Sequence, residues 1–142
     1  MKKLTSVAAM SACLIILMPN QAFAEVVKIS CKADQSTFRG GPSNILDYFD
    51  IDDENRTLHY RNGSFEVEIP GRDEAGTEYS FDAFDVDHIQ FREEYDRDAP
   101  RTTLIDRRDG TFHVKQYEKN GYDVAYFKYG RCHKVENTDR AF

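Results

Sequence analysis

The feature that most constrains the fold of this chain is an alternation of apolar and polar residues with a period of two. The segment EVVKISCK places Val27, Ile29 and Cys31 on one side of an extended chain, and SFEVEI places Glu66 and Glu68 opposite its apolar residues. The segment TFHVKQY repeats the pattern. Because successive side chains of a strand point to opposite faces, this alternation predicts antiparallel strands that are buried on one face only.

Turn signals separate these segments. Asn62-Gly63, Asp109-Gly110 and Asn120-Gly121 are dipeptides that accept the positive φ angles of tight hairpin turns. No stretch of ten or more residues carries a helical stripe, and the short alternative is SNILDYF, residues 43–49, with Ser43 as its cap. The predicted strands, about eight or nine in number, cover residues 25–32, 45–51, 56–61, 64–69, 78–83, 87–94, 102–106, 111–117 and 122–132.

The first 24 residues have the layout of a secretory signal peptide. Two lysines are followed by an apolar run to Met18, then Pro19, and small residues precede a cleavage point after Ala24. The run is too short to span a membrane. A lipoprotein signal at Cys13 is the alternative, but it fits poorly because the most apolar stretch, LIILM, follows that cysteine. We therefore expect a periplasmic or secreted protein whose residues 25–142 form one domain.

Cleavage would leave two cysteines, Cys31 and Cys132, and an exported protein with one pair predicts one disulfide. The alternatives are a metal pair assisted by His133, or a reactive thiol. A disulfide requires its Cα atoms to lie within about 7 Å, so the first and last predicted strands must be neighbours. This favours an all-β antiparallel meander of about eight strands that is closed as a barrel, with two stacked sheets as the alternative.

An acidic stretch, DYFDIDDENRTLHY at residues 47–60, raises the question of a calcium loop. An EF-hand loop needs Gly at its sixth position and Glu at its twelfth. Counted from Asp50, those positions hold Asn55 and Arg61. The stretch is therefore predicted to be the polar bend between two strands, a role that Asp and Asn favour.

Motifs for catalysis and metal binding are absent from the sequence. It contains no G-x-S-x-G elbow, and carboxylate pairs such as Glu93-Glu94 and Asp52-Asp53 could act as acid and base only if one member were buried. Adjacent strand residues point to opposite faces, so such pairs do not converge. We expect no enzyme, cofactor or metal site. The four histidines lack ligand spacing and are His59, His88, His113 and His133.

The charge of the predicted mature domain narrows the choice of partners. Cleavage would remove both lysines of the leader but no acidic residue. The mature domain would then have 17 basic and 25 acidic residues and a net charge of −8. An acidic surface repels nucleic acid and anionic lipid, so neither is an expected partner. A basic protein would be attracted, although the charge could also serve solubility alone.

Aromatic residues indicate where binding could occur. In YDVAYFKY, one face would carry Tyr122 and Tyr126 and form an exposed stripe if Ala125, Phe127 and Tyr129 filled the core. Tyrosine is enriched at interfaces, but it also suits strands in general. With the outward-facing Glu66 and Glu68, these tyrosines form the predicted binding set.

Three functions therefore stand as expectations. The first is a non-catalytic protein-binding module, such as an inhibitor or immunity protein. The second is a lipocalin-like binder of a small apolar or amphipathic ligand, since a barrel of about eight strands is either just filled or holds one small molecule. The third is a structural envelope protein.

In general build the pattern resembles small exported bacterial β-barrels that include the periplasmic inhibitors of c-type lysozyme. The S-G-x-x-Y segment of those proteins is not present, and NGSFEV and KNGYDV are the nearest stretches. The resemblance implies a compact all-β domain, and it assigns no residue a role.

Overall fold

The computed structural model describes residues 25–36 and 45–135. The predicted leader with Cys13, residues 37–44 and the tail from residue 136 lie outside the described residues. The described residues form ten strands: β1 (Val27–Ser36), β2 (Leu46–Asp52), β3 (Thr57–Asn62), β4 (Phe65–Ile69), β5 (Gly71–Arg72), β6 (Glu78–Phe84), β7 (His88–Glu94), β8 (Arg101–Asp106), β9 (Thr111–Tyr117) and β10 (Val124–Lys134).

These strands form one antiparallel sheet in the order β4-β3-β2-β1-β10-β9-β8-β7-β6-β5. The sheet curls until β4 lies beside β5 and β6, so the domain is a nearly closed barrel. The predicted all-β meander and barrel are confirmed, and the short β5 accounts for the larger strand count. The helical alternative is wrong over residues 46–49, because β2 starts at Leu46 and continues as a strand, and its predicted cap, Ser43, lies outside the described residues.

The predicted disulfide is confirmed. Cys31 on β1 and Cys132 on β10 are direct cross-strand partners, with their Cα atoms 3.9 Å apart and their sulfurs bonded. The bond therefore fixes the seam where the beginning of the meander pairs with its end. The remaining gap in the barrel lies between β4 and β6, where the chain turns through the cis Ile69-Pro70 bond and the two-residue β5.

The predicted turns are also found. The glycines of the three turn dipeptides, Gly63, Gly110 and Gly121, have φ angles of 59°, 74° and 76°. The acidic stretch forms the bend between β2 and β3, where a carboxylate oxygen of Asp52 accepts the backbone N–H of Asn55 at 2.9 Å. This hydrogen bond and a second one from the side chain of Asn55 hold the pKa of Asp52 below its usual value.

Large apolar side chains fill one end of the barrel, which we call the closed end. Several are less than 2 % exposed. Aromatic rings continue the core toward the middle of the barrel, where Phe49 stacks on Tyr60 at 4.9 Å and meets the edge of Phe91 at 6.2 Å. Burial of this kind stabilises each residue by about 1.5–3 kcal/mol. The most buried apolar residues are Phe49, Phe91, Phe112, Ile51, Leu58, Ile69, Ile89 and Ile105.

An arginine links the turns at the closed end. The Arg107 guanidinium donates to both carboxylate oxygens of Asp53, at 2.7 and 2.8 Å, and to the backbone carbonyl of Asp85 at 3.1 Å. The hydrogen bond from Arg107 lowers the pKa of the Asp53 carboxyl.

Within the described residues, no helix has the length and apolar character needed to cross a bilayer.

Candidate ligand site at the barrel mouth

On five strands the inward-facing row of side chains changes from apolar to polar along the barrel, and the five rows change in the same direction. Each strand alternates, so every second residue points inward, and the last inward residue of a row lies at the end opposite the closed end. We call this end the mouth. Read from the closed end, the rows are Ile51, Phe49 and Asp47 on β2; Leu58, Tyr60 and Asn62 on β3; Ile89, Phe91 and Glu93 on β7; Ile105, Thr103 and Arg101 on β8; and Phe112, Val114 and Gln116 on β9.

The polar ends of these rows surround a cavity of about 370 Å³, which we call the mouth cavity. Its size is at the lower end of the range for small-molecule sites, about 300–1,000 Å³. Five aromatic rings and five ionisable side chains apart from tyrosine meet in it or directly beneath it. The lining residues are Tyr60, Asn62, Phe65, Asp73, Thr77, Tyr79, Glu93, Tyr95, Arg101, Tyr126 and Lys128, with Asp47 at the base.

The base of the mouth cavity is a buried ion pair. Lys128 and Asp47 are 7 % and 2 % exposed, and the Lys128 ammonium donates to the carboxylate of Asp47. Asp47 also accepts the Tyr60 hydroxyl at 2.9 Å and the Asn62 side-chain amide at 2.5 Å. Three donors from two other strands therefore satisfy this carboxylate, which a buried charge requires.

The aromatic rings near the ion pair take part in the same network. The Lys128 ammonium lies 5.6 Å from the centre of the Phe112 ring, within the range of a cation–π contact. Burial and the neighbouring Asp47 carboxylate raise the pKa of the Tyr60 hydroxyl far above its usual value. Tyr60 therefore stays protonated and serves as a hydrogen-bond donor.

One wall of the mouth cavity is built around Glu93, which is 7 % exposed. One carboxyl oxygen of Glu93 accepts the Tyr95 hydroxyl at 3.0 Å and lies 3.3 Å from the Tyr79 hydroxyl. Burial raises the pKa of Glu93, although Arg101 and the two tyrosines oppose the shift. Burial also raises the pKa of Tyr95 to about 12.

Tyr79 stands between two acids. Its hydroxyl lies 3.2 Å from a carboxylate oxygen of Asp73 and 3.3 Å from Glu93, and it has a single proton to donate. One of the two acids is therefore left without this donor unless Glu93 carries a proton of its own. The wall can hold such a proton because burial raises the pKa of Glu93.

Arg101 continues this wall on the neighbouring strand, where it is the cross-strand partner of Glu93. Its guanidinium lies 4.5 Å from the centre of the Tyr126 ring and 5.7 Å from that of Tyr95. One terminal nitrogen donates to the side-chain oxygen of Gln116 at 3.3 Å, and another lies 3.9 Å from Glu93, which is too far for a hydrogen bond. The Nε atom is buried and has no hydrogen-bond partner among the described residues.

The predicted aromatic stripe does not form. Tyr122 is 89 % exposed in the turn before β10, whereas Tyr126 points into the mouth cavity. The conditional assignment of Ala125, Phe127 and Tyr129 to the core is wrong, because Ala125 is exposed and Tyr126 and Lys128 face inward instead. A register shift between Val124 and Tyr126 also breaks the regular alternation on which the stripe depended.

Glu66 and Glu68 lie on the outer face of β4, as the alternation predicted, and both are exposed. The carboxylate of Glu66 is 3.6 Å from the ring of His59. Three strands separate β4 from β10 in the sheet, so the two glutamates and Tyr122 belong to different parts of the surface.

The other polar residues considered for chemistry are dispersed. His59 and His113 lie half-buried on the outer face, and His113 packs against Tyr129 at 4.6 Å. No group of three or more His, Cys, Asp or Glu side chains within the described ranges is placed to hold a metal ion. The Glu93-Glu94 pair divides as adjacent strand residues must, with Glu93 buried and Glu94 exposed.

Sequence reasoning missed most of the mouth cavity, although one signal was present. Cys132 must face inward to meet Cys31, and counting back by two from Cys132 reaches Gly130, Lys128 and Tyr126. This count identifies a lysine and a tyrosine on the inner face. On β2, Asp47 likewise shares its parity with the buried Phe49.

Comparisons with models of known protein families, with curated proteins and with solved structures found no match to this chain. The geometry of the mouth cavity is therefore the basis for assigning a function.

Proposed function

We propose that this protein is a barrel that binds a small molecule in the mouth cavity. The observation that carries the proposal is the division of the barrel interior. The closed end is filled by apolar side chains, whereas about 370 Å³ at the mouth is bounded by aromatic rings and converging polar groups. A concave site with rings for contact and a few fixed polar groups for orientation is the usual form of a small-molecule site.

The polar lining refines the kind of ligand. An apolar molecule placed against Asp73, Glu93 and Arg101 would remove water from polar groups without replacing its hydrogen bonds, which is unfavourable. A polar or amphipathic molecule would satisfy these groups and still pack against the rings of Tyr60 and Phe65. The proposal is therefore a lipocalin-like binder of a small polar or amphipathic ligand, acting without catalysis.

The setting expected from the sequence is compatible with this role. A disulfide such as Cys31–Cys132 is typical of proteins in oxidising compartments, and the leader predicts export. We therefore propose that binding takes place in the periplasm or outside the cell.

Native mass spectrometry of the protein purified from its own host tests the proposal. We expect a co-purifying small mass that is lost in Thr77→Trp, because Thr77 lines the mouth cavity and the indole would fill it. Thr102→Trp is the matched control, since Thr102 lies on the outer face of β8. The proposal is overturned if no small mass accompanies the wild type and a fragment screen by NMR shifts no amide signals at the mouth.

A second candidate is the protein-binding module, and the exposure of Tyr122 favours it. Tyr122 is 89 % exposed in the turn between β9 and β10, and the exposed Tyr117 and Val124 are the cross-strand pair at the base of this turn. The same turn carries two acids, Glu118 and Asp123, against one base, Lys119, and this excess of acid would favour a basic partner.

The test of this second candidate is a pull-down from periplasmic or secreted extract at low and high salt. A basic protein that is retained by the wild type at low salt and lost with Tyr122→Ser would support it. Glu66→Gln/Glu68→Gln shows whether the acidic face of β4 contributes. Equal retention by the wild type and Tyr122→Ser would count against the turn as the binding surface.

A further inference from the structure

In the mouth cavity, the acids already accept hydrogen bonds from the protein, whereas the bases keep donors without partners among the described residues. This difference between acids and bases indicates the charge of the ligand. A bound molecule must pair with the groups that the protein leaves uncommitted, because buried polar groups without partners are unfavourable. We therefore consider, for each ionisable side chain, which of its donors or acceptors are already satisfied.

The acid at the base is fully committed. Asp47 accepts hydrogen bonds from Tyr60, Asn62 and Lys128, which leaves little capacity for a further donor. Asp73 at the rim is also committed, since it accepts the backbone N–H of Thr77 at 2.9 Å and is within reach of the Tyr79 hydroxyl.

The bases are not committed to the same extent. Of the five N–H groups of Arg101, one is directed to Gln116 at 3.3 Å, and the structure assigns the rest no hydrogen bond among the described residues. The guanidinium lies against the Tyr126 ring, and its second terminal nitrogen is 3.9 Å from Glu93, beyond hydrogen-bond distance, so its donors are not saturated. The Lys128 ammonium has three protons and a single hydrogen bond, to Asp47.

The unpaired donors of Arg101 and Lys128 would be satisfied by a ligand that accepts hydrogen bonds. A guanidinium fixed by stacking matches a planar oxyanion through two parallel hydrogen bonds, and these charge-assisted bonds are among the strongest available to a protein. The five rings around the cavity, Tyr60, Phe65, Tyr79, Tyr95 and Tyr126, would contact a flat body attached to that oxyanion.

We propose that the ligand of the mouth cavity is a small aromatic or otherwise planar carboxylic acid, bound as the carboxylate by Arg101 and assisted by Lys128. This inference rests on the proposed function, because it names the ligand class of the same cavity. The acidic surface of the domain does not prevent it, since charges beyond about 8 Å are largely screened at physiological salt and the contacting donors decide.

Glu93 is the group whose negative charge would repel an anionic ligand, and its surroundings allow it to be protonated. Its carboxyl faces the ring hydroxyls of Tyr79 and Tyr95, with Asp73 and Arg101 nearby. A proton on Glu93 would remove the repulsion and donate to a hydroxyl or to the ligand. We expect binding of the carboxylate and protonation of Glu93 to favour each other.

Three planar isosteres that differ in charge provide the test: benzoate, benzamide and benzamidinium. Each is titrated into the full chain, and the amide signals of the mouth residues are followed by NMR. We expect benzoate to bind most tightly. Arg101→Gln should weaken it by about tenfold to a hundredfold, the loss of one charge-assisted pair, and Arg101→Lys should weaken it less.

Arg131→Gln is the matched control, because it removes the same charge from the exposed outer face of β10 and should leave benzoate binding unchanged. If benzamide or benzamidinium binds as well as benzoate, the charge assignment is overturned while small-molecule binding stands. If none of the three shifts the mouth signals, this inference is overturned, and the proposed function is decided separately by native mass spectrometry. Equal loss in Arg101→Gln and Arg131→Gln would also overturn it.

Discussion

The ammonium of Lys128 and the carboxylate of Asp47 meet inside the barrel although 81 residues separate them in the chain. Both side chains are nine-tenths or more buried, and strand β1 lies between their two strands in the sheet. The pair therefore forms only when β2, β1 and β10 are assembled in the correct register. It connects the stability of the fold with the shape of the mouth cavity.

Lys128→Met should destabilise the domain strongly. Removing one partner of a buried pair leaves the other charge uncompensated, which costs about 3–5 kcal/mol. The free energy of unfolding in urea measures the effect. Lys115→Met is the control, because Lys115 is exposed on the outer face of β9 and its loss should change stability by about 0.5 kcal/mol or less.

The double variant Asp47→Leu/Lys128→Met distinguishes the effect of an unpaired buried charge from the effect of losing the other hydrogen bonds of Asp47. It should be more stable than Lys128→Met alone, since no charge remains buried, but less stable than the wild type, because Tyr60 and Asn62 lose their acceptor. A double variant as unstable as the single one would show that the ion pair is not the origin of the loss.

Cys31→Ala/Cys132→Ala should lower stability without changing the strand order. The bond closes a loop with a sequence separation of 101, for which the chain-entropy model gives about 4–5 kcal/mol. The ladder between β1 and β10 extends on both sides of the cysteines, so the register should persist. Urea unfolding with and without reductant measures the loss, and unchanged stability after complete reduction would contradict the prediction.

The architecture could be predicted because two local signals and one covalent constraint agree. The period of two sets the strands, the Asn-Gly and Asp-Gly dipeptides set the hairpins, and the Cys31–Cys132 pair brings the two ends of the meander together. Each of these depends on residues that are close in sequence or directly bonded. The two-residue β5 was missed because Gly71-Arg72 carries no alternation.

The mouth cavity could not be predicted in the same way, since its members come from seven strands and the loops beside them. Asp47, Glu93 and Arg101 are charged, and a charged residue in a strand is ordinarily assigned to the outer face. Each faces inward beside side chains of other strands that lie at least 13 residues away in the sequence, such as Tyr60 for Asp47, Tyr79 for Glu93 and Gln116 for Arg101. The assignment of Tyr126 failed for a further reason, the register shift beside Val124, which sequence alternation does not reveal.

Gly130→Ala should destabilise the barrel although alanine is a small residue. A Cβ atom at Gly130 would overlap the backbone carbonyl oxygen of Lys32 and would lie 2.7 Å from the Phe112 ring and 2.8 Å from the Cα of Ala33. Overpacking of this kind costs about 1–3 kcal/mol, and here two of the three neighbours are backbone, which cannot rotate away. The thermal midpoint of unfolding measures it.

Gly63→Asn provides the comparison for Gly130→Ala. Gly63 has a φ of 59° in a turn with nothing within 4 Å of its added Cβ atom, and asparagine accepts this conformation better than most residues. We expect a change of about 1 kcal/mol or less there. Equal losses at the two positions would show that crowding by Lys32 and Phe112 is not the cause.

Glu93→Gln should make the domain more stable at neutral pH and remove a pH dependence that the wild type has. Burial raises the pKa of Glu93 above its ordinary value of 4.5, so the folded protein holds this proton at pH values where the unfolded chain has released it. The folded state then binds more protons than the unfolded state, and stability falls as pH rises from about 4.5 through the raised pKa. Glutamine cannot lose a proton, so it avoids this loss.

Urea unfolding at intervals between pH 4 and pH 8 measures the difference between Glu93→Gln and the wild type. The two curves should meet near pH 4, where Glu93 is protonated in both states, and separate as pH rises. Glu94→Gln removes the same charge from the adjacent, exposed position and should run parallel to the wild type. If the wild type gains stability relative to Glu93→Gln as pH rises, the Arg101 and tyrosine contacts outweigh burial, and Glu93 is ionised in the folded barrel.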